Sequence, residues 1–174
     1  MSNGEMGKAK GEDSGADAPL SPSPFPLSKR VAGIDYGTVR IGIAIGDLEV
    51  RMASPYENYT RRSDRLDAQY FKQLAQEERL ARWVVGLPVH LSGEESQKSH
   101  EARQFGKWLT ELTGVPVDYF DERYTSAHAE EILQAANLTK KKRKARLDAL
   151  AAQIMLTAYL ESGAQGNDDP GSIG

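Results

Sequence analysis

No cysteine occurs among the 174 residues of this chain, which excludes a disulfide frame and a thiolate-held zinc site. No stretch approaches the ~18 consecutive apolar residues of a membrane span, and the first 28 residues lack the continuous apolar run of a secretory signal. These absences lead us to expect a cytoplasmic protein with no membrane partner. Histidine is also scarce. His90 lies in a loop after a proline, and His100 and His128 fall on helix faces that read as solvent-facing, so imidazole chemistry is not where the sequence points. The two ends have little to bury. Residues 1–28 are rich in Gly, Ser, Asp and Ala, with Pro19, Pro22, Pro24 and Pro26 spaced along an extended linker, and residues 162–174 are mostly Gly, Asp, Asn and Ser. Both read as disordered tails. Residues 29–161 then form one domain, long enough to bury one core.

The formal net charge of −3 is set by the tails. Glu5, Glu12, Asp13 and Asp17 outnumber Lys8 and Lys10, and Asp168 and Asp169 add to them at the other end, so the domain itself is slightly basic. Its basic residues are concentrated in Lys140, Lys141, Lys142, Arg143, Lys144 and Arg146. Such a run is as a rule a solvated face. Here it directly precedes Asp148, where it suits a clamp on a nucleic-acid backbone, supplying affinity and salt dependence but little sequence reading.

The segment 30–46 reads as two apolar strands joined by a tight glycine turn, with Asp35 near the end of the first. Alternation puts Val31, Gly33 and Asp35 on one face and Ala32, Ile34 and Tyr36 on the other. A strand apolar on both faces belongs inside a covered sheet. An unpaired carboxylate is costly there, so this acid is a candidate for holding a cation or donors on a phosphate.

A third strand is expected over 50–54, ended by Pro55. Apolar spacing predicts a helix over 64–80, capped by Ser63, with Leu66, Tyr70, Phe71 and Leu74 inward. A short strand over 83–86 stops at Leu87-Pro88. A helix over 94–113 turns Ala102, Phe105, Leu109 and Leu112 to one side and closes at Gly114. The strand 117–120 runs into Asp121-Glu122-Arg123. Thr125 caps a further helix through about 136, and the last helix, 147–161, faces Leu147, Leu150, Ile154 and Ala158 inward. Trp83 and Trp108 fit core packing. The order β-β-β-α-β-α-β-α-α implies an α/β fold, a mixed sheet covered on both sides. Sites in such sheets gather at the carboxyl ends of parallel strands, where Asp35, Gly86-Leu87-Pro88 and Glu122 fall.

Three acids stand out: Asp35, Glu122 and Asp148, the last in the first turn of the final helix and one position off its apolar stripe. Converging carboxylates repel unless cations intervene, and hard oxygen ligands suit magnesium or manganese, one ion or two. Each acid has a plainer alternative: Asp35 with turn amides, Glu122 paired with Arg123 or Arg40, Asp148 favoured by a helix dipole. Arg40 could neutralise a phosphate or pair with an acid.

Gly33-x-Asp35-x-Gly37-x-x-Arg40-Ile-Gly-x-Ala44, Val84-Val-Gly-Leu-Pro88, Asp121-Glu-Arg-x-Thr125 and Leu147-Asp-Ala-Leu-Ala-Ala152 occur in that order. Together they closely resemble the YqgF (RuvX) family of pre-16S ribosomal RNA nucleases, once called Holliday junction resolvase-like proteins. The resemblance spans essentially 30–161. It implies an RNase H-like fold, a five-stranded sheet whose second strand runs antiparallel to the rest. It also implies a metal-dependent nuclease that trims the 5′ end of the ribosomal RNA precursor. The family's acids fall on Asp35, Glu122 and Asp148. The N-terminal tail is additional to the compact family form, and His90 stands where relatives often carry Asn.

A nuclease acting on RNA is thus the leading expectation. A branched-DNA resolvase would share fold and site, but it must cut two strands symmetrically and so needs a dimer. Nothing in the sequence marks a dimer face, which leaves monomer and homodimer both open. A nucleotide-binding ATPase or sugar kinase uses a similar Asp-x-Gly hairpin, yet a single sheet lacks the duplicated domain that closes over a nucleotide. A non-catalytic RNA-binding factor would use the basic run and keep only the fold.

Overall fold

The computed structural model describes residues 28–88, 96–122 and 140–164, with side chains of the last stretch described from Asp148 onward. The strands are β1 (Arg30–Asp35), β2 (Arg40–Asp47), β3 (Met52–Thr60), β4 (Arg82–Leu87) and β5 (Val117–Asp121). The helices are α1 (Asp64–Glu77), α2 (Gln97–Thr113) and α3 (Lys140–Glu161). The two expected tails and the helix expected from Thr125 lie outside the described residues, apart from the stretch 162–164 and Ser28. No helix among the described residues is long and apolar enough to cross a membrane.

The strands form one sheet in the order β3-β2-β1-β4-β5. β2 pairs antiparallel with both β1 and β3, whereas β1–β4 and β4–β5 are parallel. The second strand alone therefore runs against the others, as the resemblance implied. The carboxyl ends of β1, β4 and β5 lie together at one end of the sheet, with Asp35 opposite Gly42 and Gly86 opposite Phe120.

Both faces are covered, as the apolar alternation of β1 requires. On one, Ala32, Ile34, Ile41, Ile43, Trp83 and Val85 pack under α1 and α2. Phe71 is the hub, meeting the rings of Tyr59, Tyr70, Trp83, Phe105 and Trp108 edge-on at 5.1 to 6.1 Å. Each fully buried side chain of this size contributes of order 2 kcal/mol. Both helices start on the serine caps their sequences offer. Ser63 accepts from the Leu66 amide and Ser96 from the Ser99 amide. Gly114, at φ 75°, ends α2 in the left-handed region that favours glycine.

On the other face, α3 covers Val31, Ala44, Val84 and Phe120 with Ala152, Met155, Leu156, Tyr159 and Leu160. Its far end is tied down by a polar knot. Tyr159 donates to Asp118 Oδ2 at 2.6 Å, and Arg82 Nη1 donates to the Tyr159 hydroxyl, to Asp118 Oδ2 at 3.2 Å and to the Ala164 carbonyl at 3.2 Å.

Three expectations need correction. β3 does not stop at Pro55 but continues to Thr60. Among the described residues it is an edge strand, paired on one side only, where a residue without an N–H is tolerated. The register skips Tyr56 between Pro55–Ala44 and Glu57–Ile43, a bulge that takes up the misfit. The last helix does not start at 147 but at Lys140, because Lys, Arg and Ala are good helix formers and nothing in the basic run breaks the helix. Asp148 is therefore well inside α3, so the helix-start account of that acid fails. The inward stripe also differs. Leu150 and Ile154 are buried as expected, but Ala158 is half-buried while Met155, Leu156 and Tyr159 are covered.

Candidate active site

Asp35 ends β1 on the α3 face, in line with Val31 and Gly33. Across the hairpin its neighbour is Gly42, and the absence of a side chain there is a spatial requirement. A Cβ on Gly42 would lie 1.8 Å from the Asp148 carbonyl oxygen. The α3 backbone thus rests directly on β2 and delivers Asp148 to the end of β1. Gly86, next to last in β4, which lies between β1 and β5, has a similar role: a Cβ there would meet Glu122 Oε1 at 2.5 Å. Two glycines clear a floor over which acids from β1, the end of β5 and α3 approach each other.

The approach shows in the electrostatics. Burial, then the charges of Glu122 and Asp148, push the Asp35 carboxyl up to about 7, while Lys98 pulls it back. Burial, then Asp121, raises Glu122 as well. Asp148 instead accepts from Arg40 Nε at 3.1 Å. Arg40 is thus paired with an acid, one of the two roles open to it. Asn58 Oδ1, on β3, accepts the Ala149 amide at 2.6 Å and pins the backbone next to Asp148.

Among the described residues, no group of three His, Cys, Asp or Glu side chains is gathered closely enough to hold a metal ion as it stands. Like charges keep apart, and Asp148 is drawn to a guanidinium. The donor chemistry nevertheless fits a hard divalent cation. Carboxylates from three elements lie around a glycine floor, near enough for the charges of Glu122 and Asp148 to act on Asp35, with no thiolate in the chain.

Beside the acids lies a cavity of about 280 Å³, bounded by the turn 36–40, Lys98, Glu101 and Asp148. Tyr36 in its wall is fixed by Arg61 Nη1, which donates to its hydroxyl at 3.1 Å, and by the Phe105 ring at 5.1 Å. Lys98, Glu101 and Asn58 were not singled out by the sequence. The one local signal for the first two was an i, i+3 charge pair just after the Ser96 cap, and Asn58 had none. His100 is exposed, as expected. His90, Arg123 and His128 lie outside the described residues, as do the side chains of Lys140, Lys141, Lys142, Arg143, Lys144 and Arg146. The backbone of that basic run is one helix with Asp148.

The chain is similar to known proteins. The profile of the RuvX family, described as Holliday junction resolvase, matches residues 29–162. A Rhodopirellula baltica protein named "Putative pre-16S rRNA nuclease" is 50% identical over 138 residues, 79% of this chain and 80% of its own length. One of the same name from Syntrophomonas wolfei is 37% identical over 139 residues, 80% of this chain and 99% of its own. Among solved structures, T. thermophilus RuvC in complex with Holliday junction substrate aligns with a TM-score of 0.50 at 19% identity, over 78% of this chain and 96% of RuvC. That last likeness is one of fold, the RNase H-like mixed sheet. The motif order, the sheet with its one reversed strand and the family match agree: this chain belongs to the RuvX family.

Proposed function

We propose that the protein is a metal-dependent nuclease that hydrolyses phosphodiester bonds in RNA, acting in the cytoplasm on the 5′ end of pre-16S ribosomal RNA. The observation that carries this is the Asp35 carboxyl, half-buried at a strand end and pushed up to about 7 in part by Glu122 and Asp148. Carboxylates held against their own repulsion point to a cation-binding role. Asp35, Glu122 and Asp148 would hold magnesium or manganese, which supplies water activation and charge for the leaving oxygen. The chain's own residues do the rest. Gly42 and Gly86 give the acids room, Arg40 and Asn58 orient Asp148 and its backbone, and the basic run of α3 attracts the strand. The names of the relatives support an RNA substrate.

The test is cleavage of an RNA carrying the precursor 5′ extension by the full chain, with Mg²⁺ or Mn²⁺ and after chelation. Trimming that stops on chelation and in Asp35→Asn supports the reading. If Asp35→Asn cuts as fast as the parent, the carboxylate mechanism is wrong, and binding without cutting would leave a non-catalytic RNA-binding factor. The family description favours a second reading, a DNA junction endonuclease. Paired symmetric nicks in a four-way junction, by a dimer and without action on RNA, would establish it instead.

A further inference from the structure

The cavity beside the acids has two charged side chains that form no ion pair with them. Lys98 and Glu101 line it from the first turns of α2, opposite the turn 36–40. At three residues apart on a helix, their Cβ atoms are about 5–6 Å from each other. Neither forms an ion pair among the described residues, whereas Asp148 in the same lining is matched by Arg40. Lys98 is near enough to Asp35 for its charge to act on that carboxyl, so whatever it binds lies next to the reacting bond. At about 280 Å³ the space is small, near the lower end of ligand pockets and on the scale of one nucleotide.

A lysine facing this space suits a backbone phosphate, which RNA and DNA both offer. A carboxylate facing the same space would repel a phosphate unless a donor meets it. The ribose 2′-hydroxyl is a donor that RNA carries and DNA lacks. Resting on the nuclease reading, we propose that this cavity seats one ribonucleotide beside the cleaved bond, with the Lys98 ammonium on its phosphate and the Glu101 carboxylate accepting from its 2′-hydroxyl. Glu101 is then a specificity-determining residue and Lys98 a positioning one.

The experiment measures binding of matched RNA and DNA strands to the full chain carrying Asp35→Asn, with and without Lys98→Ala or Glu101→Ala. A series of RNAs with a single 2′-deoxy substitution walked along the strand completes it. Lys98→Ala is expected to weaken RNA and DNA alike, by about 5- to 10-fold, and to reduce the salt slope by about one, with Lys98→Arg restoring both. Glu101→Ala is expected to narrow the RNA-over-DNA preference by about 5-fold and to abolish the penalty at one 2′-deoxy position, leaving the salt slope unlowered. A full ribose preference in Glu101→Ala, or unchanged affinities in Lys98→Ala, overturns the assignment. Because binding is read apart from cleavage, the two readings fail separately. A parent chain that discriminates ribose through Glu101 but cuts nothing loses the nuclease, and one that trims RNA with both variants binding normally loses the subsite.

Discussion

Arg40 Nε stands 3.1 Å from Asp148 Oδ2, joining the start of β2 to the interior of α3 across 108 residues of sequence. Both side chains are partly in solvent, 54% and 31% exposed, so the pair adds only about 0–1 kcal/mol to stability. Its importance lies in direction: it sets where an acid of the proposed site points. Arg40→Ala should leave the melting temperature nearly unchanged and lower RNA cleavage by about 10- to 100-fold. Arg40→Lys keeps the charge without the Nε donor, and should restore KM more than kcat. Equal recovery of both would mean that Arg40 acts only as a charge.

Asp35 is expected to oppose folding in the metal-free protein. It is a half-buried carboxylate beside Glu122 and Asp148, and Asn in its place removes one of three like charges. Asp35→Asn should therefore abolish cleavage, by about 100-fold or more, while raising stability in chelator by about 1–3 kcal/mol. Denaturant melts at neutral pH, with chelator present, check this. A variant that is inactive but also less stable would place Asp35 in the hydrogen bonding of the fold instead.

The two glycines of the floor separate backbone from side chain. At Gly42 the obstacle to a Cβ is the Asp148 main chain, which cannot step aside without moving α3. Gly42→Ala should cost about 2 kcal/mol or more together with activity. At Gly86 the obstacle is the end of the Glu122 side chain, which can swing. Gly86→Ala should keep most of the stability and lose cleavage, a contrast that parallel melts and cleavage assays would reveal.

Asp67 makes the acid limb of stability predictable. Burial pushes its carboxyl up, but the Tyr59 hydroxyl at 2.6 Å, the Arg62 amide at 2.8 Å and Arg61 Nε at 3.3 Å outweigh that and hold it below the usual 3.8. A carboxyl lowered by folding contributes stability that is complete above the unfolded value and is lost as pH falls through the folded one. The parent should lose this contribution below about pH 4, and Asp67→Asn should lack that part of the acid limb while starting about 2–4 kcal/mol less stable. An acid limb identical in both proteins would show that other groups set it.

Much of this was legible because local patterns carried it. The alternation of β1, the Ser63 cap, the apolar spacing of 94–113 and Gly114 located the hairpin and two helices, and strand ends pointed to Asp35 and Glu122. What stayed hidden depended on partners distant in sequence. Pro55 reads as a stop unless one knows that β3 has a single neighbour, and the basic run reads as a loop beside the helix it in fact belongs to. Asp67 falls on the inward face of α1, but its burial depends on donors from β3 and the following turn. Lys98 and Glu101 look like an ordinary solvated pair until the fold places the turn 36–40 across a cavity from them.

The polar knot at Tyr159 has a mechanical consequence. From Tyr159 to Asp148 is about 16 Å of helix, fastened to Arg82 and Asp118 at one end and bearing on Gly42 at the other. α3 is in effect a lever with its fulcrum at the far edge of the sheet. A tilt of about 4° at the fulcrum displaces the acid by about 1 Å, enough to cost on the order of 100-fold in rate. The alignment of the site is thus set in part by residues that never approach the substrate.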